Sequence, residues 1–206
     1  MLLKLRGNMS LQRSKKDLEI AAKEIEKMAS TTAFPELEEA WQNFLGRIER
    51  SWEIADRILR KENGYQQFIK KYKILRDKDP LLTYLKQARN AETHAVSGTV
   101  DVAFQVMVFD KIGRPFQVDE IKITNENGIL SINIDAKNSH AELDAKLLPC
   151  DPKLVKFKNR GIVYDVPEKH LDYKIKNMHP VIIAKLGHQF YEKFIVEAKT
   201  FIEEKE

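Results

Sequence analysis

The sequence is poor in the residues and patterns that mark several protein classes. It contains a single cysteine, Cys150, which excludes an intrachain disulfide framework and a zinc site built from several cysteines. It has no run of about 18 apolar residues, so no membrane-spanning helix is predicted. The first residues lack the apolar segment of a secretion signal, and Met9 is an alternative start. We therefore expect a cytoplasmic protein without a membrane partner.

Several catalytic motifs are also missing. The chain has no glycine-rich phosphate-binding loop, no G-x-S-x-G and no H-E-x-x-H. Four of its five histidines are scattered without the spacing of metal ligands: His140, His170, His179 and His188. The aspartates of the second half fall on separate predicted strands and turns. We therefore expect neither a metal site nor a cofactor.

Helical periodicity dominates the first hundred residues. Apolar residues recur three and four positions apart over residues 10–29, 35–62, 65–76 and 79–97. The short connections between these segments predict an antiparallel bundle of about four helices. Gly46, in the second segment, is predicted to allow a close helix crossing.

Alternating patterns replace the helical ones after Gly98. Strands are predicted at 100–108, at 116–124 and from Ile129, with hairpin turns at 125–128 and 159–161. Another amphipathic helix is predicted at about 180–204. Because such a helix needs a partner surface, we expect it to pack on the bundle.

These patterns together predict an α+β fold. Residues 1–98 are expected to form the helical bundle. Residues 99–178 are expected to form a small antiparallel β-rich segment, either inserted into the bundle or appended to it. Residues 179–206 are expected to form the C-terminal helix that returns to the bundle.

The helix predicted at 79–97 has both ends marked. Asp79 is a suitable N-cap, Pro80 fits the first helical position, and Gly98 favours the left-handed conformation that ends helices. One face is apolar along its length, through Leu81, Tyr84, Leu85, Ala88, Ala91 and Ala95. Asn90 and His94, one turn apart, point the other way, and Arg89 lies at the edge between the faces.

Positive charge is concentrated just ahead of this helix. The net charge is +4, yet residues 61–78 alone hold six basic residues against two acidic ones. Such a patch attracts phosphates, although an ordinary solvated helix face has the same composition. The basic residues closest to the helix are Lys70, Lys71, Lys73, Arg76 and Lys78.

The segment Arg89-Asn90-Ala-Glu-Thr-His94 is an R-x4-H pattern. With ten arginines and five histidines in the chain, chance alone gives about 0.7 such pairs over three allowed spacings. The pattern nevertheless falls on a well-capped helix late in a bundle, and a polar residue directly follows the arginine. In these respects the chain resembles the HEPN domain family, whose mark is R-x4-6-H with Asn, His or Asp after the arginine.

The resemblance covers residues of about 10–97 and carries expectations about fold and function. HEPN proteins are mostly helical dimers, and many are metal-independent ribonucleases of toxin–antitoxin, phage-defence and CRISPR systems. It implies a homodimer that cleaves RNA at a shared cleft, with Arg89, Asn90 and His94 as catalytic residues and a cognate antitoxin or regulator as a further partner. The basic residues at 70–78 would hold flanking phosphates.

Two other interpretations remain open. Some HEPN proteins have lost activity, which leaves a non-catalytic module that binds a protein or nucleotide. Alternatively, the motif is accidental in a structural α+β protein. His94 in the last turn then interacts favourably with the negative end of the helix dipole, and Glu92 pairs with Arg89 or with Arg57.

Overall fold

The computed structural model describes residues 2–94, 98–126, 129–135 and 143–204. The chain divides into two compact units. Unit 1 comprises Met1–Asp101 and Pro152–Glu206, and unit 2 comprises Val102–Asp151. Unit 2 is therefore an insertion within the sequence of unit 1.

The described residues form helices and short antiparallel strands, which confirms the predicted α+β class. The helices are α1 (Leu2–Ser30), α2 (Phe34–Leu59), α3 (Tyr65–Lys78), α4 (Pro80–His94) and α5 (Pro180–Glu203). The strands are β1 (Val100–Asp101), β2 (Phe104–Asp110), β3 (Glu120–Glu126), β4 (Ile129–Asp135), β5 (Leu143–Pro149), β6 (Lys153–Leu154), β7 (Phe157–Asn159), β8 (Ile162–Tyr164), β9 (Lys169–His170) and β10 (Tyr173–Lys174). None of the described helices has the length and apolarity needed to cross a membrane.

Helices α1 and α2 form an antiparallel pair. Near the middle of α1, the Ser14 hydroxyl donates to the Ser51 carbonyl late in α2, at 2.7 Å. Near the end of α1, the ammonium of Lys27 lies 3.6 Å from the carboxylate of Glu39, early in α2. The residue that comes later in α1 contacts the residue that comes earlier in α2, so the helices are antiparallel, as the short connection between them predicts.

Helix α5 completes the core and packs on α1, α2 and α4. It runs antiparallel to α3, because the ring of Phe68 stacks on Phe201 at 4.5 Å while Arg76, two turns later, bonds to Tyr191. The expected packing of the C-terminal helix on the bundle is confirmed.

The close helix crossing occurs at a different glycine from the one the sequence predicted. A Cβ atom on Gly187 of α5 would lie 2.3 Å from Cδ1 of Leu85 on α4, so only glycine fits there without displacement. A Cβ on Gly46 of α2 would meet nothing within 4 Å. The prediction for Gly46 is therefore wrong, because that position faces open space.

A β-hairpin packs against α4. Strands β7 and β8 pair antiparallel, and their two-residue turn has positive φ at Arg160 (48°) and Gly161 (84°). The side-chain amide of Asn159 donates to Gln87 of α4 at 3.0 Å. The predicted hairpin around residues 159–161 is confirmed.

The β-rich segment does not form one block. The sequence predicted residues 99–178 as a single segment, but residues 152–178 belong to unit 1. The physical reason is that Leu154, Phe157 and Ile175 are buried in the same apolar core as the helices. The predicted boundaries at 98 and 178 therefore do not coincide with the division of the chain.

The described residues of unit 2 form two antiparallel strand pairs, β2 with β5 and β3 with β4. Glu126 pairs with Ile129, and the predicted turn residues between them lie outside the described residues. The strand predicted at 116–124 begins later, at Glu120. Among the described side chains of this unit, Val108 is the buried one.

Candidate active site

Helix α4 begins at the buried carboxylate of Asp79, which contacts two backbone N–H groups and one histidine ring. The backbone N–H of Leu82 donates to Oδ1 of Asp79 at 2.9 Å, which confirms Asp79 as the N-cap. The backbone N–H of Leu171 donates to Oδ2 at 2.6 Å, and Nδ1 of His170 lies 3.0 Å from Oδ1. The N-cap was visible in the sequence, whereas the contacts with residues 170 and 171 were not.

The environment of Asp79 keeps its carboxylate ionised. Burial raises the pKa of Asp79, but the hydrogen bonds from His170, Leu171 and Leu82 lower it by more, and the resulting pKa lies below the ordinary value of an aspartate. An ionised carboxylate that accepts several hydrogen bonds fixes the first turn of α4 firmly.

Helix α4 lies at the centre of unit 1. The predicted apolar face is confirmed over its described part, since Leu81, Tyr84, Leu85, Ala88 and Ala91 are all buried. The polar side is also partly covered, because no side chain from Leu81 to Glu92 is fully exposed. Lys86 bonds to Asp77 at 2.7 Å and Gln87 to the β7–β8 hairpin.

The structure brings Arg89 and Asn90 together. Nη1 of Arg89 donates to Oδ1 of Asn90 at 3.3 Å, and both side chains are partly exposed. Residue 94 is the last residue of α4, one turn beyond Asn90, and the side chain of His94 lies outside the described residues. An arginine fork held beside an amide oxygen suits the recognition of a phosphate group.

Glu92 joins the end of α4 to two other segments. Its Oε1 accepts from the backbone N–H and the hydroxyl of Thr99, at 2.9 and 2.7 Å, and its Oε2 accepts from Gln42 of α2 at 3.0 Å. Its contact with α2 is thus with Gln42 and not with Arg57, which was one of the two partners that the sequence left open for Glu92. The carbonyl of Thr99 in turn accepts a hydrogen bond from the hydroxyl of Tyr84. Burial raises the pKa of Tyr84, so its phenol keeps its proton and remains a donor.

Arg76 is not available for the predicted contact with RNA. It is 5% exposed, and its guanidinium donates to Tyr191 at 3.1 Å and forms an ion pair with Glu49. It also stacks over the ring of Trp52, at 4.2 Å from the centroid. Arg76 is therefore a core residue that joins α3 to α2 and α5.

The remaining basic residues of α3 differ in their pairing. Lys71 bonds to Glu197 of α5 at 2.6 Å, and Lys73 lies 3.9 Å from Asp56 of α2. Lys70 and Lys78 are exposed and form no ion pair within the described ranges. The basic cluster predicted on α3 is thus largely neutralised by acidic residues of other helices.

Glu197 is the acidic residue that neutralises this part of α3. Burial raises the pKa of Glu197, but hydrogen bonds from Lys71 and Tyr72 lower it below the ordinary value. The carboxylate is therefore ionised at neutral pH and cancels the charge of Lys71.

Sequence reasoning missed a second group of basic side chains, on α1, on α2 and in the turn that follows α2. We name it the basic groove, and it consists of two adjoining depressions lined by Arg13, Lys16, Arg47, Arg50, Arg57 and Lys61. Arg47, Arg50 and Arg57 recur at helical spacing, which places them on one side of α2, and Lys61 follows in the turn after the helix. This spacing was the available signal, but the residues are interleaved with acidic ones and do not form a run.

No group of three or more His, Cys, Asp or Glu side chains in the part of the chain that the structure describes is arranged to hold a metal ion. Comparisons of the chain with protein-family models, with curated proteins and with solved structures give no match.

Proposed function

We propose that the chain is a HEPN-type endoribonuclease, which cleaves RNA without a metal ion at a cleft between two copies of the chain. The observation that carries the proposal is the Arg89–Asn90 contact on the partly exposed side of α4, with residue 94 one turn further along the same helix. The proposal includes a cytoplasmic role in growth control or phage defence, with an antitoxin or regulator as a partner.

The reaction proposed is attack of an RNA 2′-OH on the adjacent phosphate. A general base removes the proton of the 2′-OH, and the 2′-oxygen forms a new bond to phosphorus. The bond between phosphorus and the 5′-oxygen of the next nucleotide breaks, and that oxygen takes up a proton from a general acid. An imidazole has an ordinary pKa near 6.5, so His94 suits the proton transfers. Arg89 stabilises the charge on the phosphate, and Asn90 orients Arg89 through its amide oxygen.

Cleavage assays on purified variants test this proposal. Wild-type protein and the His94→Ala and Arg89→Ala variants are incubated with total RNA, with and without EDTA. We expect each substitution to lower the cleavage rate by 100-fold or more, in line with the usual contribution of a general acid–base group. EDTA is expected to leave the rate unchanged.

The control is Arg114→Ala, which removes an exposed arginine from the turn after β2. It is expected to cleave like the wild type. Thermal unfolding of each variant shows whether the fold is retained. Undiminished cleavage by folded His94→Ala protein would refute the mechanism.

One observation favours a second function, that of a non-catalytic binding module. The β7–β8 hairpin covers part of the polar side of α4 through the Asn159–Gln87 bond, which limits the space for an RNA chain there. A binding module would form dimers and capture a protein or nucleotide partner. It would cleave no RNA in the same assay, with or without EDTA.

A further inference from the structure

The basic groove runs between α1 and α2 and is rich in positive charge. Arg13, Arg50, Arg57 and Lys61 line its first depression, of about 270 Å³, together with Ile54 and Ile58. Arg13 and Arg50 also line the second depression, of about 220 Å³, so the two adjoin. The groove therefore combines a basic rim with aliphatic side chains.

Acidic side chains do little to neutralise this groove. The carboxylate that lines it is Asp17, which is 5% exposed and already pairs with Arg47 at 3.0 Å and Arg50 at 3.2 Å. Glu53 and Asp56, which lie on α2 within the span of the groove, are not among its lining residues.

Four cations of the groove remain without an acidic partner. Among the described residues, no ion pair involves Arg13, Lys16, Arg57 or Lys61. All four side chains are exposed. Three of the five basic residues of α3 differ in this respect, since Lys71, Lys73 and Arg76 each face a carboxylate.

The dimensions of the groove fit an extended polyanion. Arg47 and Arg57 are ten positions apart on α2, which corresponds to about 15 Å at 1.5 Å per residue. Guanidinium groups bind phosphate oxygens with two parallel hydrogen bonds, and three of the groove's arginines come from α2. Aliphatic side chains between the cations offer a surface for sugars and bases.

We propose that the basic groove binds the sugar–phosphate backbone of single-stranded RNA, independently of its sequence. This inference deepens the proposed function, on which it rests for the identity of the ligand. None of the lining residues belongs to α4, so the groove would hold a segment of RNA that flanks the cleaved bond. Binding and cleavage can therefore be separated by mutation.

The test measures the affinity of the full-length protein for fluorescein-labelled oligouridine by anisotropy, over a series of NaCl concentrations. All proteins carry His94→Ala, which prevents cleavage during the titration. The groove variant adds Arg13→Gln and Arg57→Gln. Both arginines are exposed and unpaired, so their loss is not expected to disturb the fold.

The salt dependence gives the expected magnitude. Each phosphate contact on a single strand contributes a slope of about −0.7 to the plot of log K against log salt concentration, so four contacts give about −3. The groove variant should lose about 1.4 of this slope and bind at least tenfold more weakly at low salt. The control variant, Lys174→Gln with Lys185→Gln, changes the net charge equally at exposed lysines outside the groove and should bind like the parent.

The outcomes distinguish this inference from the proposed function. Equal affinities of the groove variant and the control would overturn the inference, and so would binding of polyglutamate at the groove as tightly as RNA. If the wild type cleaves no RNA but the groove variant still loses affinity, the inference stands and the proposed function fails. If the wild type cleaves RNA and the groove variant binds it unchanged, only the inference fails.

Discussion

Removal of the Asp79 carboxylate should be among the most damaging single changes in unit 1. The side chain is 3% exposed and engages the N–H of Leu82, the N–H of Leu171 and the ring of His170. Loss of an N-cap costs about 1 kcal/mol. Loss of the bond to the buried His170 ring leaves a buried group unsatisfied, at about 1–2 kcal/mol, whereas loss of the bond from the N–H of Leu171, a residue that is 45% exposed, costs about 0.5–1.5 kcal/mol. We therefore expect Asp79→Ala to lower the free energy of unfolding by about 2.5–4.5 kcal/mol.

A matched control lies two residues earlier. Asp77 also forms an ion pair, with Lys86 at 2.7 Å, but its side chain is 61% exposed. Surface pairs of this kind contribute less than about 1 kcal/mol, because water screens them. Asp77→Ala should therefore leave the free energy of unfolding nearly unchanged, although it removes the same charge from the same region.

The effect of Asp79→Ala should also depend on pH. The pKa of Asp79 is lower in the folded protein than its ordinary value of about 3.9. The ionised carboxylate therefore stabilises the folded state above that ordinary value, and this contribution is lost as the pH falls through the folded-state pKa. The difference between wild type and Asp79→Ala should be largest near neutral pH and should shrink below about pH 4.

Urea denaturation followed by circular dichroism measures these free energies, at neutral pH and at a series of acidic values. The midpoint and the slope of each transition are compared between variants. A loss under 1 kcal/mol for Asp79→Ala, or a loss equal to that of Asp77→Ala, would refute the reasoning. A difference that does not change with pH would show that the ionised form of Asp79 is not what stabilises the fold.

Two further predictions concern packing and domain structure. Gly187→Ala should destabilise the protein by up to about 2 kcal/mol, because its Cβ would overlap Leu85. Gly46→Ala, which places a methyl group in open space, should instead stabilise α2 by about 0.5–1 kcal/mol. Thermal unfolding of the two variants shows whether the melting temperature falls in the first and rises in the second. Replacement of unit 2 by a short Gly-Ser linker should leave unit 1 folded, because Asp101 and Lys153 pair across β1 and β6 and hold the two ends of the insertion side by side. A helical circular dichroism spectrum with a cooperative thermal transition would agree with this prediction, and loss of the transition would contradict it.

Local patterns predicted the helices and one complete hairpin. Apolar spacing placed the buried face of α4 correctly, and the N-cap role of Asp79 followed from its position before Pro80. The Asn159-Arg160-Gly161 turn was readable from its glycine, because Gly161 adopts positive φ without strain, although Arg160, which seldom does so, has positive φ as well. These features depend on neighbours in the sequence, which a single sequence supplies.

Features that depend on distant residues were predicted poorly. A count of charges placed an RNA-binding cluster on α3, but Arg76 meets Glu49 and Tyr191, which lie 27 and 115 residues away. The close helix crossing was assigned to Gly46, although it occurs at Gly187. The residues that surround a glycine do not identify the distant helix that packs against it. For the same reason the basic groove, whose residues come from α1, α2 and the turn after α2, was not recognised.

The short strands after α4 have a structural role that bears on the candidate site. Helix α4 is held at its first turn by Asp79, which accepts from residues 170 and 171, and at its last turn by Glu92, which accepts from Thr99. These partners come from the segments that precede and follow unit 2 in the sequence. The segments that flank the insertion therefore fix both ends of the helix that carries Arg89 and Asn90. This arrangement explains why residues 152–178 belong with the helices, and it makes the position of the candidate site sensitive to contacts at both ends of α4.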